Sequence, residues 1–271
     1  MEMQQKTVLI TGSSSGMGRA TASYLAEHGY RVYAGSRTPE TLHDVATEHL
    51  IPLKLDVTDP QSIATVLEQI ERVDVLVNNA GYGLVSTVED VTEEEMFAQF
   101  DVNVFGVMRM CQAVIPQMRH QQSGVIINIS SFLGKIGLPL LTFYNASKYA
   151  VEGITDSLRY ELKDFNIRVH SIMPGFFDTN FARDNLVTNA MTFSENSPYA
   201  GLVSILAPTI VEQINHGNDT LEVAQLIAKI IEDENFPARC TAGEKAKKFI
   251  PMKRELSDED FERRVRDYYG L

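Results

Sequence analysis

The chain has 271 residues, a formal net charge of −12 and only two cysteines. A chain of this length buries roughly three quarters of the surface that its unfolded state exposes, so that it can fold without disulfide bridges. The acidic balance argues against nucleic acid or an anionic membrane as the main partner.

Two further features bear on location. Cys111 and Cys240 occur in unrelated sequence contexts, which favours a reducing compartment. The segment Met1 to Lys6 has no apolar signal core, and no apolar run approaches the ~18 residues of a membrane helix. We therefore expect a cytoplasmic protein that does not span a membrane.

A glycine-rich loop at residues 12–18 follows the first predicted strand, residues 7–11, and leads into a predicted helix at residues 19–28. Glycine lets the backbone turn tightly and approach a pyrophosphate, while the helix start offers unpaired amides and a positive partial charge. The pattern predicts an anion site. Its spacing, G-x-x-x-G-x-G, matches the commonest dinucleotide fingerprint only in part, and a glycine turn without a ligand is the alternative.

Strands and helices alternate along the chain. We predict further strands at residues 31–35, 52–56, 73–78, 125–129 and 168–173, and helices at 60–71, 92–121, 143–165 and 220–232. Such βαβ units form a parallel sheet with helices on both faces and with ligands at the carboxyl ends of the strands. The predicted fold class is α/β, a Rossmann-like, doubly wound parallel sheet in one domain over residues 1–271.

The stretch from Ser131 to Lys148 contains the residues of a proton-transfer site. If a helix follows Pro139, Tyr144 and Lys148 lie four positions apart on one face, and the ammonium approaches the phenol. A cation favours the phenolate, so we expect Lys148 to lower the pKa of Tyr144 from ~10 toward neutrality, with an oxidised nicotinamide adding to the effect. Ser131 leaves a buried strand end and can donate a hydrogen bond to a carbonyl oxygen. By itself, Tyr-x-x-x-Lys also occurs on many solvated helix faces.

Several motifs match one known family in order and spacing. They are Thr11-Gly12-x-x-x-Gly16-x-Gly18, Asp56, Asn78-Asn-Ala-Gly81, Asn103, Ser131, Tyr144-x-x-x-Lys148, and Pro174-Gly175 with Thr179. With these motifs in register, the chain closely resembles the short-chain dehydrogenase/reductase family, most densely from Lys6 to Thr179. The resemblance implies an NAD(P)-dependent oxidoreductase.

The resemblance also implies residue roles. Tyr144 is the catalytic acid/base, and Ser131 holds the substrate oxygen. Lys148 lowers the tyrosine pKa and binds the nicotinamide ribose, and Asn103 supports a water relay to Lys148. Adjacent strand residues point to opposite faces, and the family spacing selects Ser131 rather than Ser130. The implied cofactor contacts are Gly12, Ser14, Ser15, Gly16, Met17, Gly18, Arg37, Asp56, Val57, Asn79, Ala80, Gly81, Tyr144, Lys148, Pro174, Gly175 and Thr179.

Four positions in these motifs also have a simpler interpretation. Asp56, implied to contact the adenine, could cap the next turn, and Asn103 could be a polar residue satisfied between two helices. Asn78 and Asn79, implied to support the central strand and the cofactor, could form an ordinary turn. Thr179 is implied to contact the carboxamide.

Cofactor choice depends on the end of the second strand. An NAD-preferring fold has an acidic residue there, which accepts hydrogen bonds from the adenosine ribose. This chain has Ser36 at the position where the family places that acid, followed by Arg37, and a guanidinium can pair with the 2′-phosphate of NADP. We therefore expect NADP(H) to be preferred over NAD(H). The alternative is that Arg37 is a solvated charge at the start of a helix.

The carboxyl-terminal third is less informative. An apolar substrate pocket is predicted around Leu133, Leu138, Phe176, Phe177 and the segment 199–211. The resemblance implies that residues 180–218 form a substrate lid. The alternative is a surface helix that packs on the core. The extension at about residues 244–271 has the mixed charges of a solvated helix. The extension departs from shorter family members, whose chain ends often join the subunit interface. We expect a homo-oligomer of two or four subunits.

The predicted function is hydride transfer between NADP(H) and the carbonyl or secondary alcohol of an apolar small molecule, without a metal. A regulator that senses the nucleotide without turnover is one alternative. The intact Asn103, Ser131, Tyr144 and Lys148 argue against it. An isomerase or dehydratase with the same site is the other alternative.

Overall fold

The computed structural model describes residues 5–179, 181 and 185–271. Its strands are β1 (Thr7–Thr11), β2 (Arg31–Ser36), β3 (Leu50–Lys54), β4 (Val75–Asn78), β5 (Gly83–Val85), β6 (Gly124–Ile129), β7 (Ile167–Pro174), β8 (Leu186–Thr188) and β9 (Arg239–Ala242). Seven of them form a parallel sheet in the order β3-β2-β1-β4-β6-β7-β9, while β5 pairs with β8. The strand order changes direction between β1 and β4, and ligands of such sheets bind in the crevice at that point.

Helices cover both faces of the sheet. They are α1 (Gly16–Glu27), α2 (Pro60–Leu67), α3 (Glu93–Phe100), α4 (Gly106–Gln121), α5 (Thr142–Glu161), α6 (Ala200–Asn215), α7 (Leu221–Glu232), α8 (Gly243–Glu255) and α9 (Asp258–Tyr269). Alternate residues of a strand point to opposite faces, and β1 shows this directly. Val8 and Ile10 pack into the layer of α1 and α7, whereas Leu9 packs into the layer of α2, α4 and α5. The predicted doubly wound α/β fold is confirmed.

Some predicted boundaries need correction. The third strand begins at Leu50 rather than Pro52 and ends at Lys54, so that Asp56 lies in the following loop. Proline is tolerated inside this strand because β3 is at the edge of the sheet, where a missing amide breaks no ladder. The helix predicted at 92–121 starts with a capping box between Thr92 and Glu95, but a π-helical turn at Asp101–Phe105 interrupts it.

The carboxyl-terminal extension is not merely a solvated helix. In α9 the side chains of Phe261, Val265 and Tyr269, spaced four residues apart, are buried in a third apolar cluster. That cluster also contains Phe132 and Phe176, which belong to loops at the carboxyl ends of β6 and β7. The charged residues therefore occupy only the outer face of an amphipathic helix. None of the helices in the described part of the chain is long and apolar enough to cross a membrane.

Candidate active site

The glycine loop is packed tightly against the turn after β4. Gly12 has a φ of +68°, and a Cβ atom there would lie 2.7 Å from the Cα of Ala80. A Cβ atom on Gly18 would lie 2.4 Å from both the Gly12 oxygen and Asn79 Nδ2. These distances leave no room for a side chain at either position, and at Gly12 the positive φ also favours glycine.

The Asn79 turn supports the loop through hydrogen bonds. Asn79 Nδ2 donates to the backbone oxygens of Thr11 (3.0 Å) and Gly12 (2.9 Å). Thr11 Oγ1 accepts from the amides of Asn79 (3.1 Å) and Ala80 (3.0 Å). Among the residues that the structure describes, no side chain caps the start of α1 at Ser15, and loop residues 14–17 are partly exposed. The loop therefore offers a cradle with free amides, which fits the pyrophosphate of a dinucleotide.

Ser36, Arg37 and Asp56 are the residues that the sequence predicts at the adenosine end of the cofactor. Ser36 is buried, and its Oγ accepts from the amide of Thr38 at 3.0 Å. Arg37 is exposed and forms no ion pair with any residue that the structure describes. Asp56 Oδ1 accepts from Thr58 N (2.9 Å) and Thr58 Oγ1 (2.7 Å), so that this carboxylate does cap the following turn.

Arg37 is close enough to influence Asp56 electrostatically. Burial by itself raises the pKa of Asp56, but hydrogen bonds from Thr58 and the charges of Arg37 and Arg109 outweigh it, and the pKa is lowered. Val57 is buried and packs against Gly106, where a Cβ atom would lie 2.8 Å from its Cγ2. Its side chain therefore belongs to the apolar layer of α2, α4 and α5.

Helix α5 brings the predicted proton-transfer residues together. The helix starts at Thr142, so that Tyr144 occupies its first turn and Lys148 the next. Lys148 Nζ lies 5.7 Å from the centroid of the Tyr144 ring and donates to the backbone oxygen of Ile129 at 2.9 Å. Ser131 follows the end of β6 in extended backbone, and its Oγ accepts from the amide of Leu133 at 3.1 Å.

The expected lowering of the Tyr144 pKa is wrong. Burial raises the pKa of Tyr144 to about 12, and a hydrogen bond with Ser131 opposes this only in part. Burial lowers the pKa of Lys148 to about 8, while Glu152 opposes that shift. The ammonium is directed at the Ile129 carbonyl rather than the phenol, so that desolvation dominates. At neutral pH this gives a protonated phenol beside an ammonium group.

Asn103 lies in the π-helical turn between α3 and α4, the kind of irregularity that often marks a functional site. Its Nδ2 donates to Tyr82 O (2.9 Å) and Ser147 Oγ (3.1 Å), and its Oδ1 accepts from Tyr82 N (3.0 Å). A Cβ atom on Gly81 would lie 3.1 Å from Asn103 Oδ1 and 3.7 Å from Lys148 Nζ. Asn103 therefore holds the backbone next to Lys148, as in the simpler interpretation, and the water relay stays a prediction.

A mainly apolar cavity of about 70 Å³ opens beside Tyr144. It is lined by Met17, Gly83, Ser130, Ser131, Phe132, Leu133, Leu141, Tyr144, Pro174, Gly175, Phe176, Phe177, Thr179, Phe181, Leu186, Ile210 and Ile214. Leu133, Phe176 and Phe177 are thus in the wall as predicted. Leu138 does not line this cavity but is buried in the third apolar cluster.

Sequence reasoning missed part of the wall. Of the predicted segment 199–211, Ile210 lines the cavity, and Ile214 one turn later joins it. The spacing of four residues from Leu206 through Ile210 to Ile214 was the available signal. The predicted lid, residues 180–218, is described except for residues 180 and 182–184, which lie outside the described residues. A Cβ atom on Gly16 would lie 3.2 Å from Thr179 Cγ2, which brings Thr179 to the glycine loop.

Comparison with known proteins agrees with this geometry. A family model described as short chain dehydrogenase matches residues 6–189. A Bacteroides thetaiotaomicron protein named 3-ketodihydrosphingosine reductase is 38% identical, over 99% of this chain and 100% of that protein. The crystal structure of a short-chain dehydrogenase from Streptomyces avermitilis is 33% identical, with a TM-score of 0.84 over 100% of this chain and 99% of that one. A 3-ketoacyl-(acyl-carrier-protein) reductase from Brucella melitensis, complexed with NADH, is 25% identical, with a TM-score of 0.72 over 88% of this chain and 95% of that one.

Proposed function

Because the chain belongs to the short-chain dehydrogenase/reductase family and is an NAD(P)-dependent oxidoreductase, we propose that it reduces a ketone on an apolar chain with NADPH. The observation that carries this proposal is the Tyr144 phenol, which shares one cavity with Ser131 and otherwise mainly apolar side chains. A phenol and a hydroxyl can both address one carbonyl oxygen, and the apolar wall selects the rest of the substrate.

In this mechanism Tyr144 donates its proton to the carbonyl oxygen while the Ser131 hydroxyl stabilises the developing negative charge. A bound cofactor would supply the hydride. The glycine loop would hold its pyrophosphate, and Lys148 would hold the nicotinamide ribose. Thr179, beside the loop, would contact the carboxamide.

The charge state of the phenol is compatible with the proposed acid role. With a pKa raised to about 12 by burial, Tyr144 holds its proton at neutral pH and can donate it to a carbonyl oxygen. Oxidation of an alcohol would require the phenolate, which burial disfavours.

The substrate class follows from the cavity wall and from the relatives. The Bacteroides protein is named for 3-ketodihydrosphingosine and the Brucella enzyme for 3-ketoacyl groups, so both names specify a 3-ketone. We propose a 3-ketone with a long alkyl chain. Because ligand pockets usually measure ~300 to 1,000 Å³, the proposal requires that the cavity of about 70 Å³ enlarges when such a substrate binds.

NADPH is proposed over NADH because of Ser36 and Arg37. An acidic residue is missing where the adenosine ribose would need one, and the exposed guanidinium of Arg37 is free to pair with a 2′-phosphate. The cytoplasmic location and the homo-oligomer of two or four subunits stay predictions.

The test follows the absorbance of the reduced cofactor over a panel of 3-ketones with increasing chain length, with short 2-oxo acids as controls. We expect turnover that rises with chain length, by roughly 10-fold for two further buried methylenes at ~0.8 kcal/mol each. Preference for the short acids would exclude the proposed pocket. Cofactor binding without any turnover would favour a regulator, and product formation without cofactor oxidation would favour an isomerase or dehydratase.

A further inference from the structure

We propose that Glu152, one turn beyond Lys148 on α5, is a positioning residue that keeps the Lys148 ammonium protonated and fixes the loop carrying Ser131. The inference rests on the proposed function, in which Lys148 binds the nicotinamide ribose. Glu152 matches none of the motifs on which the family resemblance rests.

Glu152 and Lys148 are both buried charges. Their side chains belong to residues that are 2% and 6% exposed, and their spacing of four places them on one face of α5. An ionised group in the interior persists only when it is paired and hydrogen-bonded; otherwise it loses its charge. Within the described part of the chain, the Lys148 ammonium donates a hydrogen bond only to the Ile129 carbonyl, which is neutral. The carboxylate of Glu152 one turn away favours the charged form of Lys148.

The Glu152 carboxylate ties together four elements. Its Oε1 accepts from the hydroxyl of Ser171 on β7. Its Oε2 pairs with Arg239 Nε on β9 at 2.6 Å and with Lys135 Nζ after β6 at 3.2 Å. Arg239 Nη2 continues to Asp156 Oδ1 at 2.6 Å. A buried carboxylate with this many partners is fixed in place and ionised.

These contacts reach the catalytic loop. Lys135 ends the short turn that Ser131 begins, so the ion pair between Lys135 and Glu152 fixes the far end of that turn. Gly134 lies directly on the helix, since a Cβ atom there would be 2.9 Å from the Lys148 oxygen and 3.1 Å from Glu152 Cγ. A displacement of Glu152 therefore moves the loop and Ser131 with it.

The charges around Lys148 give the sign of the effect. Its own helix carries the carboxylates of Glu152 and, farther away, Asp156, together with the neutral phenol of Tyr144. The elements packed against this helix contribute the cations of Lys135 and Arg239. Burial lowers the pKa of Lys148 to about 8, and Glu152 raises it. Removing the carboxylate leaves Lys135 without this ion pair and Arg239 with Asp156 alone, and it favours the neutral amine of Lys148. Removing the positive charge of Arg239 has the opposite effect.

The experiment measures the dissociation constant of NADPH by fluorescence between pH 7 and 9.5, a window above the ~6 at which a phosphate monoester titrates. In the parent, affinity should fall as pH rises through about 8, because the ammonium is lost. Glu152→Gln should move that midpoint down by about one pH unit, and Arg239→Gln should move it up. Asp156→Asn, which contacts the same arginine from a half-exposed site, should leave it near the parent value.

Glu152→Asp serves as the conservative variant and should return the midpoint toward that of the parent, and it covers the case in which Glu152→Gln fails to fold. A purely structural role predicts weaker binding with an unchanged midpoint in every variant, and that result overturns the role of Glu152 while leaving the proposed function intact. A parent that does not bind NADPH at any pH overturns both.

Discussion

The cofactor side and the substrate side of the active site are built by different means. Around the glycine loop, backbone atoms approach one another so closely that Gly12 and Gly18 have no room for a Cβ atom. Around the cavity, the wall consists of apolar side chains from separate elements, among them Ile210 on α6 and Phe176 after β7. A substitution on the first side should therefore disturb cofactor binding, and one on the second side should change which substrate is accepted.

The largest effect is expected where the two sides meet. Tyr144→Phe removes the proton donor but keeps the ring, so that turnover should fall ~100-fold or more while NADPH affinity is retained. Steady-state kinetics with a long-chain 3-ketone and NADPH titration measure the two quantities. Tyr149→Phe, on an exposed tyrosine of the same helix, is the control. Undiminished turnover by Tyr144→Phe would remove the proposed acid.

The next effect tests the cofactor side alone. A hydrogen bond to a charged group is worth about 1.5 to 3 kcal/mol, so Arg37→Ala should weaken NADPH binding by ~10 to 150-fold and leave NADH nearly unchanged. Adding Ser36→Asp should invert the preference through repulsion of the phosphate. The measurement is the kcat/KM ratio for NADPH over NADH. Arg31→Ala, at the other end of β2, should not change it, and a parent ratio below one would contradict the assignment.

The substrate side is tested on α6. Ile214→Ala removes a buried side chain from the cavity wall and should cost about 2 to 5 kcal/mol in the free energy of unfolding. Its larger cavity should favour bulkier ketones by roughly 10-fold without changing the affinity for NADPH. Ile205→Ala, on the exposed side of the same helix, should change neither the free energy of unfolding nor the preference among ketones. A change in NADPH affinity in Ile214→Ala would show that the two sides are coupled.

The smallest effects are expected on stability, from alanine substitutions at two glycines. Gly18→Ala forces a Cβ atom to within 2.4 Å of backbone and should lower the free energy of unfolding by about 1 to 3 kcal/mol, with weaker NADPH binding. Gly153→Ala, where no atom lies within 4 Å of the new Cβ, should raise it by about 0.5 to 1 kcal/mol because alanine favours the helix. Chemical denaturation measures both. Equal stability of the two variants would show that the loop can relax.

The sequence by itself determined the glycine loop and the order of strands and helices from β1 to β7, apart from the short β5, while β8 and β9 were not predicted. These elements follow from local periodicity, which the chain order preserves, whereas the resemblance to a known family singled out Asn103, Ser131, Tyr144 and Lys148 as one set. The spacing of four between Tyr144 and Lys148 needed only a helix to bring them to one face.

Only the tertiary structure decided the electrostatics and the cavity wall. Whether Lys148 lowers the pKa of Tyr144 depends on burial and on where the ammonium points, and both are set by elements distant in the sequence. The cavity wall is likewise set by tertiary packing. Leu138 and Ile214 are both apolar and buried in the third cluster, but of these two only Ile214 also lines the cavity. Apolar character predicts burial, but which surface a side chain is buried against depends on how the elements pack.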